Sequence, residues 1–181
     1  MSEQPRQNWV YWKGSLDVSP ILNEAKDCVT STATTFGGEQ NSHRISKVGW
    51  LSENPLLTGL LLPYVQEAAQ IFTVNVLATS EIQYTEYHAT EGGKYDWHHD
   101  VDWNNNKTEL DRKLSVTVQL SDPLDYDGGV FEFQETEQPN IEYKTKGTVL
   151  IFPSYLQHRV TPVTRGLRKS LVAWFYGPRW S

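Results

Sequence analysis

Two stretches of the chain hold residues whose types and spacing suit metal chemistry. Tyr95-Asp96-Trp97-His98-His99-Asp100 contains an H-x-D pair, and His158 is followed ten residues later by Arg168 in a strand-like run that continues to Ser170. Two imidazoles and one carboxylate on one side of an iron(II) ion leave the opposite positions open to other ligands. In an extended strand, residues i and i+2 share a face. His98 and Asp100 can therefore reach one ion together, while His99 points away and reads as a wall or surface residue. Asp102 lies two residues further along the same face and is a rival carboxylate. An H-x-D pair alone is weak evidence, expected by chance about once in four chains of this composition. His158 and the run from Arg159 to Ser170 raise its weight.

An Arg supplies a planar fork that matches a carboxylate, which makes Arg168 a candidate anion-binding residue. Ser170, two residues on, shares its strand face and can add a hydroxyl. Arg165 and Lys169 read as turn and outward positions.

These motifs, with the pattern H-x-V-x-P-V-x-x-G-x-R-x-S-L from His158 to Leu171, give the stretch Ile82–Pro178 its resemblance to the Fe(II)/2-oxoglutarate-dependent dioxygenases, prolyl 4-hydroxylase-like branch. The resemblance implies Fe(II) held by His98, Asp100 and His158, and it favours Asp100 over Asp102. It implies 2-oxoglutarate as cosubstrate, held by Arg168, Ser170 and a Tyr on the preceding strand, Tyr87 rather than Tyr84. It also implies O2 as oxidant, ascorbate as a supporting reductant, and succinate and CO2 as co-products. The implied substrate is a prolyl residue of a peptide or protein. A free amino acid or another small molecule is the alternative within the same chemistry. A cupin-type metal protein that is not an oxygenase, or a non-enzymatic interaction module on the same fold, is the alternative outside it. Neither of those needs a dicarboxylate clamp.

The elements that must position these residues can be read from the pattern. Trp9–Trp12 reads as a short strand. Ser19-Pro20 reads as an N-cap followed by a first-turn proline, and Ile21, Leu22, Ala25, Cys28 and Val29 repeat at helical spacing. That stripe makes Cys28 a core residue. Thr30–Asn41 is a small polar loop and Arg44–Leu51 a strand. A second helix starts at Asn54-Pro55, and Pro63 is expected to break or kink it. From Glu81 onward, alternation predicts strands: Glu81–His88, Tyr95–Val101, Lys113–Leu120, Val130–Gln134, Ile141–Tyr143, Val149–Phe152, Gln157–Val160 and Lys169–Tyr176. Asp127-Gly128-Gly129 reads as a hairpin-type turn. Thr117 and Gln119 face together, toward either a pocket or solvent, and Trp174 either backs the metal site or packs the core. The loop Val101–Asp111, with Trp103, is a candidate cover for the site.

The expected fold is mainly β with supporting N-terminal helices. Short strands with Gly, Pro and Asn turns suggest a sandwich or jelly roll, and the resemblance specifies a double-stranded β-helix (jelly-roll, cupin-like) core. One domain is expected over 1–181, with helical support over about 1–78 and the core over about 79–181. The 181 residues carry a net charge of −6 and seven Trp, nine Tyr and six Phe. The charge argues against a nucleic-acid surface, and the aromatics suit strands and pocket walls. One cysteine and no leader pattern point to a reducing, cytoplasmic setting. No apolar run approaches the ~20 residues of a membrane span.

Overall fold

The computed structural model describes residues 7–35, 42–105, 107–139 and 141–181. The chain opens with β1 (Val10–Trp12), α1 (Ser19–Ala25), β2 (Ser31–Thr32), β3 (Arg44–Ile45), β4 (Lys47–Trp50) and α2 (Pro55–Phe72). Strands β5 (Ser80–His88), β6 (Lys94–His98), β7 (Leu110–Gln119), β8 (Tyr126–Gly128), β9 (Phe131–Phe133), β10 (Val149–Pro153), β11 (His158–Val160) and β12 (Val163–Pro178) complete it. They form two antiparallel sheets. The larger runs β1-β10-β7-β12-β5-β4-β2, with β8 added beside β12; the smaller runs β3-β6-β11-β9. The fold is mainly β, as expected, and the N-terminal part supplies strands to both sheets as well as the helices.

The larger sheet has two chemically different faces. Leu114, Val116 and Val118 of β7, Leu171, Ala173 and Phe175 of β12 and Ile82 of β5 are buried with Leu57, Leu61, Val65 and Ala68 of α2 in one apolar cluster. The α2 positions recur at the spacing of one helix face. The alternate residues of the same strands are Ser115, Thr117, Gln119, Gln83, Thr85, Arg168 and Ser170, and they are buried too. A buried polar face must find partners within the protein, and this one turns toward the smaller sheet. Thr117 and Gln119 therefore do not face solvent.

Several local expectations change. Ser19 lies inside α1 rather than capping it; Val18 holds the cap position, and the Asp17 carboxylate accepts from the Ser19 N–H at 2.9 Å. The helix ends at Ala25, so Cys28 is half-buried beyond it and Val29 is 89% exposed. Helix α2 runs unbroken through Pro63, with Gly59 four residues before it. The Gly has no side chain to add to the crowding that a proline ring creates at that carbonyl. The predicted strand Arg44–Leu51 splits at Ser46, and its halves join different sheets. Ile141–Lys144 forms a 3-10 turn in place of a strand. The Asp127-Gly128-Gly129 turn closes no hairpin: β8 pairs with β12 and β9 with β11. The stretch Tyr95–Val101 is strand only as far as His98. The expected loop Thr30–Asn41 holds the short strand β2, which pairs with β4, and its residues 36–41 lie outside the described residues. Among them, no helix is long and apolar enough to cross a membrane.

Leu61 is fully buried and Leu56 is 53% exposed on the same helix. Leu61→Ala should cost about 2–5 kcal/mol, whereas Leu56→Ala should fall within about 0.5 kcal/mol of the parent. Urea unfolding midpoints compare the two; equal losses would contradict the assigned helix face.

Candidate metal centre

Antiparallel pairing of β6 with β11 sets His158 directly opposite His98. The 60-residue separation in sequence thus becomes a cross-strand contact, with ring centroids 4.2 Å apart. The chain then bends beyond β6, and the Asp100 N–H donates to the Ser154 carbonyl at 2.9 Å. This bend, rather than strand alternation, brings the carboxylate in. Asp100 Oδ1 lies 3.5 Å from His98 Nε2, and Oδ2 lies 3.5 Å from His158 Nε2. One ligand atom from each of the three residues lies within 4.8 Å of the others. Asp102 is not part of this cluster.

The imidazole tautomers follow from backbone contacts. His98 Nδ1 lies 2.7 Å from the Asp96 carbonyl and His158 Nδ1 lies 2.8 Å from the Leu156 carbonyl. A carbonyl only accepts, so each Nδ1 must donate, which leaves Nε2, the nitrogen nearer Asp100, as the atom available to a metal. Burial, reinforced by the neighbouring His158, holds the His98 imidazole well below its ordinary value and hence neutral. Burial alone would raise the Asp100 carboxyl. The imidazoles of His158 and His98, the Ser115 hydroxyl and Arg112 outweigh it and hold the group at about 2. Ser115 Oγ donates to Asp100 Oδ2 at 2.6 Å. Tyr95 stacks on His98 at 3.4 Å, and Phe131 stacks on His158 at 5.3 Å, so neither ring can turn freely. Two imidazole nitrogens and one ionised carboxylate converging from fixed rotamers suit a divalent iron ion.

The cluster opens on a cavity of about 330 Å³ between the two sheets. Arg168 lines it and is 1% exposed. Its Nη2 donates to Tyr143 Oη at 2.8 Å and to Gln119 Oε1 at 3.2 Å, while its Nε has no partner. No carboxylate forms an ion pair with it among the described residues. Burial works against its charge, but Tyr143, Tyr126 and Tyr87 raise its pKa. A buried guanidinium without a counter-charge is costly. The unpartnered Nε and the missing anion are what a dicarboxylate cosubstrate would satisfy. Gly129 makes room here, since a Cβ on it would come within 2.8 Å of Arg168 Cδ.

Of the two candidate tyrosines, Tyr87 lines the cavity and pairs with Arg168 across β5 and β12, its ring 5.4 Å from the guanidinium. Tyr84 points to the opposite face and donates to Glu86 at 2.8 Å. Ser170, Thr117 and Trp174 also line the cavity. Arg165 is exposed and paired with Asp127. His99 is outside the cavity, its ring 6.1 Å from that of Trp103. Described residues of the loop over 101–111 line a separate cavity of about 150 Å³ that Asp100 also lines. Sequence reasoning misses Tyr143, which reaches Arg168 from the 3-10 turn, and Ser115, which holds Asp100. The alternation of β7 does signal that Ser115 shares a face with Thr117 and Gln119.

Comparison with known proteins agrees with this geometry. The family model of the 2OG-Fe(II) oxygenase superfamily matches residues 82–176. A PKHD-type hydroxylase of Teredinibacter turnerae is 39% identical over 85 residues, covering 46% of this chain and 38% of that protein. One of Colwellia psychrerythraea is 34% identical over 103 residues, covering 57% and 46%. The chain thus spans less than half the length of these curated relatives. In structure it is similar to a Pseudomonas putida prolyl-4-hydroxylase, with a TM-score of 0.71, 18% identity and coverage of 95% and 93%. It is similar also to a prolyl hydroxylase from Trichoplax adhaerens in complex with a hypoxia inducible factor peptide fragment, with a TM-score of 0.71, 16% identity and coverage of 93% and 83%.

Anaerobic calorimetry should find one Fe(II) per chain. His98→Ala, Asp100→Ala and His158→Ala should each abolish that binding or reduce it severely, and His99→Ala and His43→Ala should leave it intact. Ser115→Ala should weaken it about 10- to 100-fold by freeing the Asp100 carboxylate. Parental affinity in His158→Ala would contradict the three-residue site.

Proposed function

The chain belongs to the 2OG-Fe(II) oxygenase superfamily, and from that premise we propose that it is an Fe(II)- and 2-oxoglutarate-dependent hydroxylase of an aliphatic C–H bond. Its proposed substrate is a prolyl residue of a peptide or protein. One observation carries the reading: a His-Asp-His cluster and a buried arginine without a counter-charge share one cavity. A cupin-type metal site without a dicarboxylate has no use for that arginine.

His98, Asp100 and His158 would hold the metal. Arg168 would hold the far carboxylate of 2-oxoglutarate, with Tyr87, Ser170 and Tyr143 beside it. Bound Fe(II) with 2-oxoglutarate and O2 supplies oxidative decarboxylation, yielding succinate and CO2 as one oxygen enters the substrate C–H. The protein's part is geometric and electrostatic. The backbone carbonyls of Asp96 and Leu156 fix both imidazole tautomers. Ser115 orients Asp100, and Phe131, Phe152 and Val160 wall the cavity with apolar surface.

Exposed Trp50 and buried Trp174 both line the cavity, 6.1 Å apart, and make an aromatic wall. A proline-containing segment, already extended and low in conformational entropy, suits such a wall. The peptide fragment bound to the Trichoplax adhaerens enzyme favours a peptide over a free amino acid. We read the two sheets as a double-stranded β-helix of the jelly-roll or cupin kind within one domain over 1–181, with support over about 1–78 and the core over about 79–181. Ascorbate as a supporting reductant and a cytoplasmic setting belong to the same proposal.

Incubation with Fe(II), 2-oxoglutarate, ascorbate and a panel of proline peptides should add one oxygen to the proline ring, read by mass spectrometry, with succinate formed in step. Stimulation of succinate formation by a free amino acid and by no peptide would overturn the substrate class.

Loss of a charge-assisted partner costs about 1.5–3 kcal/mol. Arg168→Ala should therefore weaken 2-oxoglutarate binding about 10- to 100-fold while iron affinity stays near parental. Equal 2-oxoglutarate affinity in mutant and parent would remove the clamp.

A further inference from the structure

Among the described residues, the lining of the main cavity has three arginines and a single carboxylate, Asp100. Two of the arginines are accounted for: Arg168 is assigned to 2-oxoglutarate under the hydroxylase reading, and Arg112 donates to Glu81 at 2.6 Å while stacking on Trp174 at 3.9 Å. Arg44 has no carboxylate within ion-pair distance among the described residues. It lies on β3 opposite Tyr95 of β6. Its guanidinium stands 4.5 Å over the Tyr95 ring, and that ring stacks on His98 at 3.4 Å. One aromatic ring therefore separates this cation from a proposed metal ligand.

The guanidinium is held in place. Its Nε donates to Ser46 Oγ at 3.1 Å, Nη1 to the Thr34 carbonyl at 3.4 Å and Nη2 to Gln83 Oε1 at 2.7 Å. Gln83 is itself buried and fixed by Thr85. A guanidinium has five N–H groups, so one on each terminal nitrogen is left without a partner among the described residues. Such a pair matches the two oxygens of a carboxylate, and a cation already fixed loses little entropy on binding. The chain as a whole carries a net charge of −6. A positive charge without a counter-charge inside a cavity of an acidic protein concentrates anions there. A single arginine in a cavity that Ser31 and Thr32 also line suits a monoanion better than a phosphate, which calls for more donors.

We propose that the substrate presents a carboxylate next to the carbon that is oxidised, and that Arg44 receives it. This rests on the hydroxylase reading and sharpens its substrate class. The carboxylate is either the free C-terminal carboxylate of the prolyl residue or the side chain of an Asp or Glu flanking it.

Calorimetry on protein loaded with Mn(II) and 2-oxoglutarate tests this without turnover. The probes are N-acetylproline against its amide, and the acetylated amides of Pro-Asp and Asp-Pro against those of Pro-Asn and Asn-Pro. In one of these pairs the carboxylate member should bind about tenfold or more tightly than its neutral match, and that pair identifies the source. Arg44→Gln should reduce the preference to under threefold, and Arg44→Lys should retain part of it. Absence of any preference in the parent, or an undiminished preference in Arg44→Gln, overturns the proposal alone. Failure of the parent to bind 2-oxoglutarate overturns the hydroxylase reading and this proposal with it.

Discussion

Antiparallel pairing of β6 with β11 sets His98 against His158, and the geometry of the centre depends on that register. A slip of one residue would turn every side chain of a strand to its other face and separate the two imidazoles. The register is guarded on both sides. Val160 lies opposite Tyr95 on β6 and opposite Phe131 on β9, and Phe131 and Phe152 pack against the His158 ring. Part of the aromatic richness of the chain thus goes into rings that fix histidines as well as fill space.

The larger sheet offsets what the site costs in stability. Its outer face buries α2 on an apolar cluster, which supplies hydrophobic stabilisation roughly proportional to the area covered. Its inner face carries hydroxyls, amides and Arg168, a poor core if left unpaired. Networks such as Ser154–Ser115–Asp100 and Tyr143–Gln119–Arg168 satisfy most of that face from within. Among what they leave over are the Nε of Arg168 and the Nε1 of Trp174, on two residues that line the cavity. Ligands that complete these groups bind the folded state alone, and so add to its stability by linkage.

Much of this is legible in the sequence, though not always for the right reason. His98, His158 and Arg168 stand out by type and spacing, and the structure gathers them around one cavity. Asp100 joins them through a bend after β6, whereas strand alternation suggests a continuous strand that would offer Asp102 equally. The polar alternation of β7 cannot reveal which side is buried, because the same pattern serves a solvent face until a second sheet covers it. Tyr143 gives no signal: it sits in a short stretch that reads as a strand and reaches Arg168 only because a 3-10 turn folds inward. Arg44 reads as the start of an ordinary strand. Its importance comes from Ser46, where the chain leaves one sheet for the other, and from the charges that are missing around it. Proline within α2 misleads because propensity rules describe isolated helices, while tertiary packing on the sheet holds this one together.

The central claim is that one cavity holds iron at His98, Asp100 and His158 and 2-oxoglutarate between that iron and Arg168. Its most direct test is the visible absorption of the anaerobic Fe(II) protein on adding 2-oxoglutarate. The account predicts a metal-to-ligand charge-transfer band that saturates at one 2-oxoglutarate per chain and is absent in His158→Ala. No band in the iron-loaded parent, or an unchanged band in His158→Ala, would contradict it.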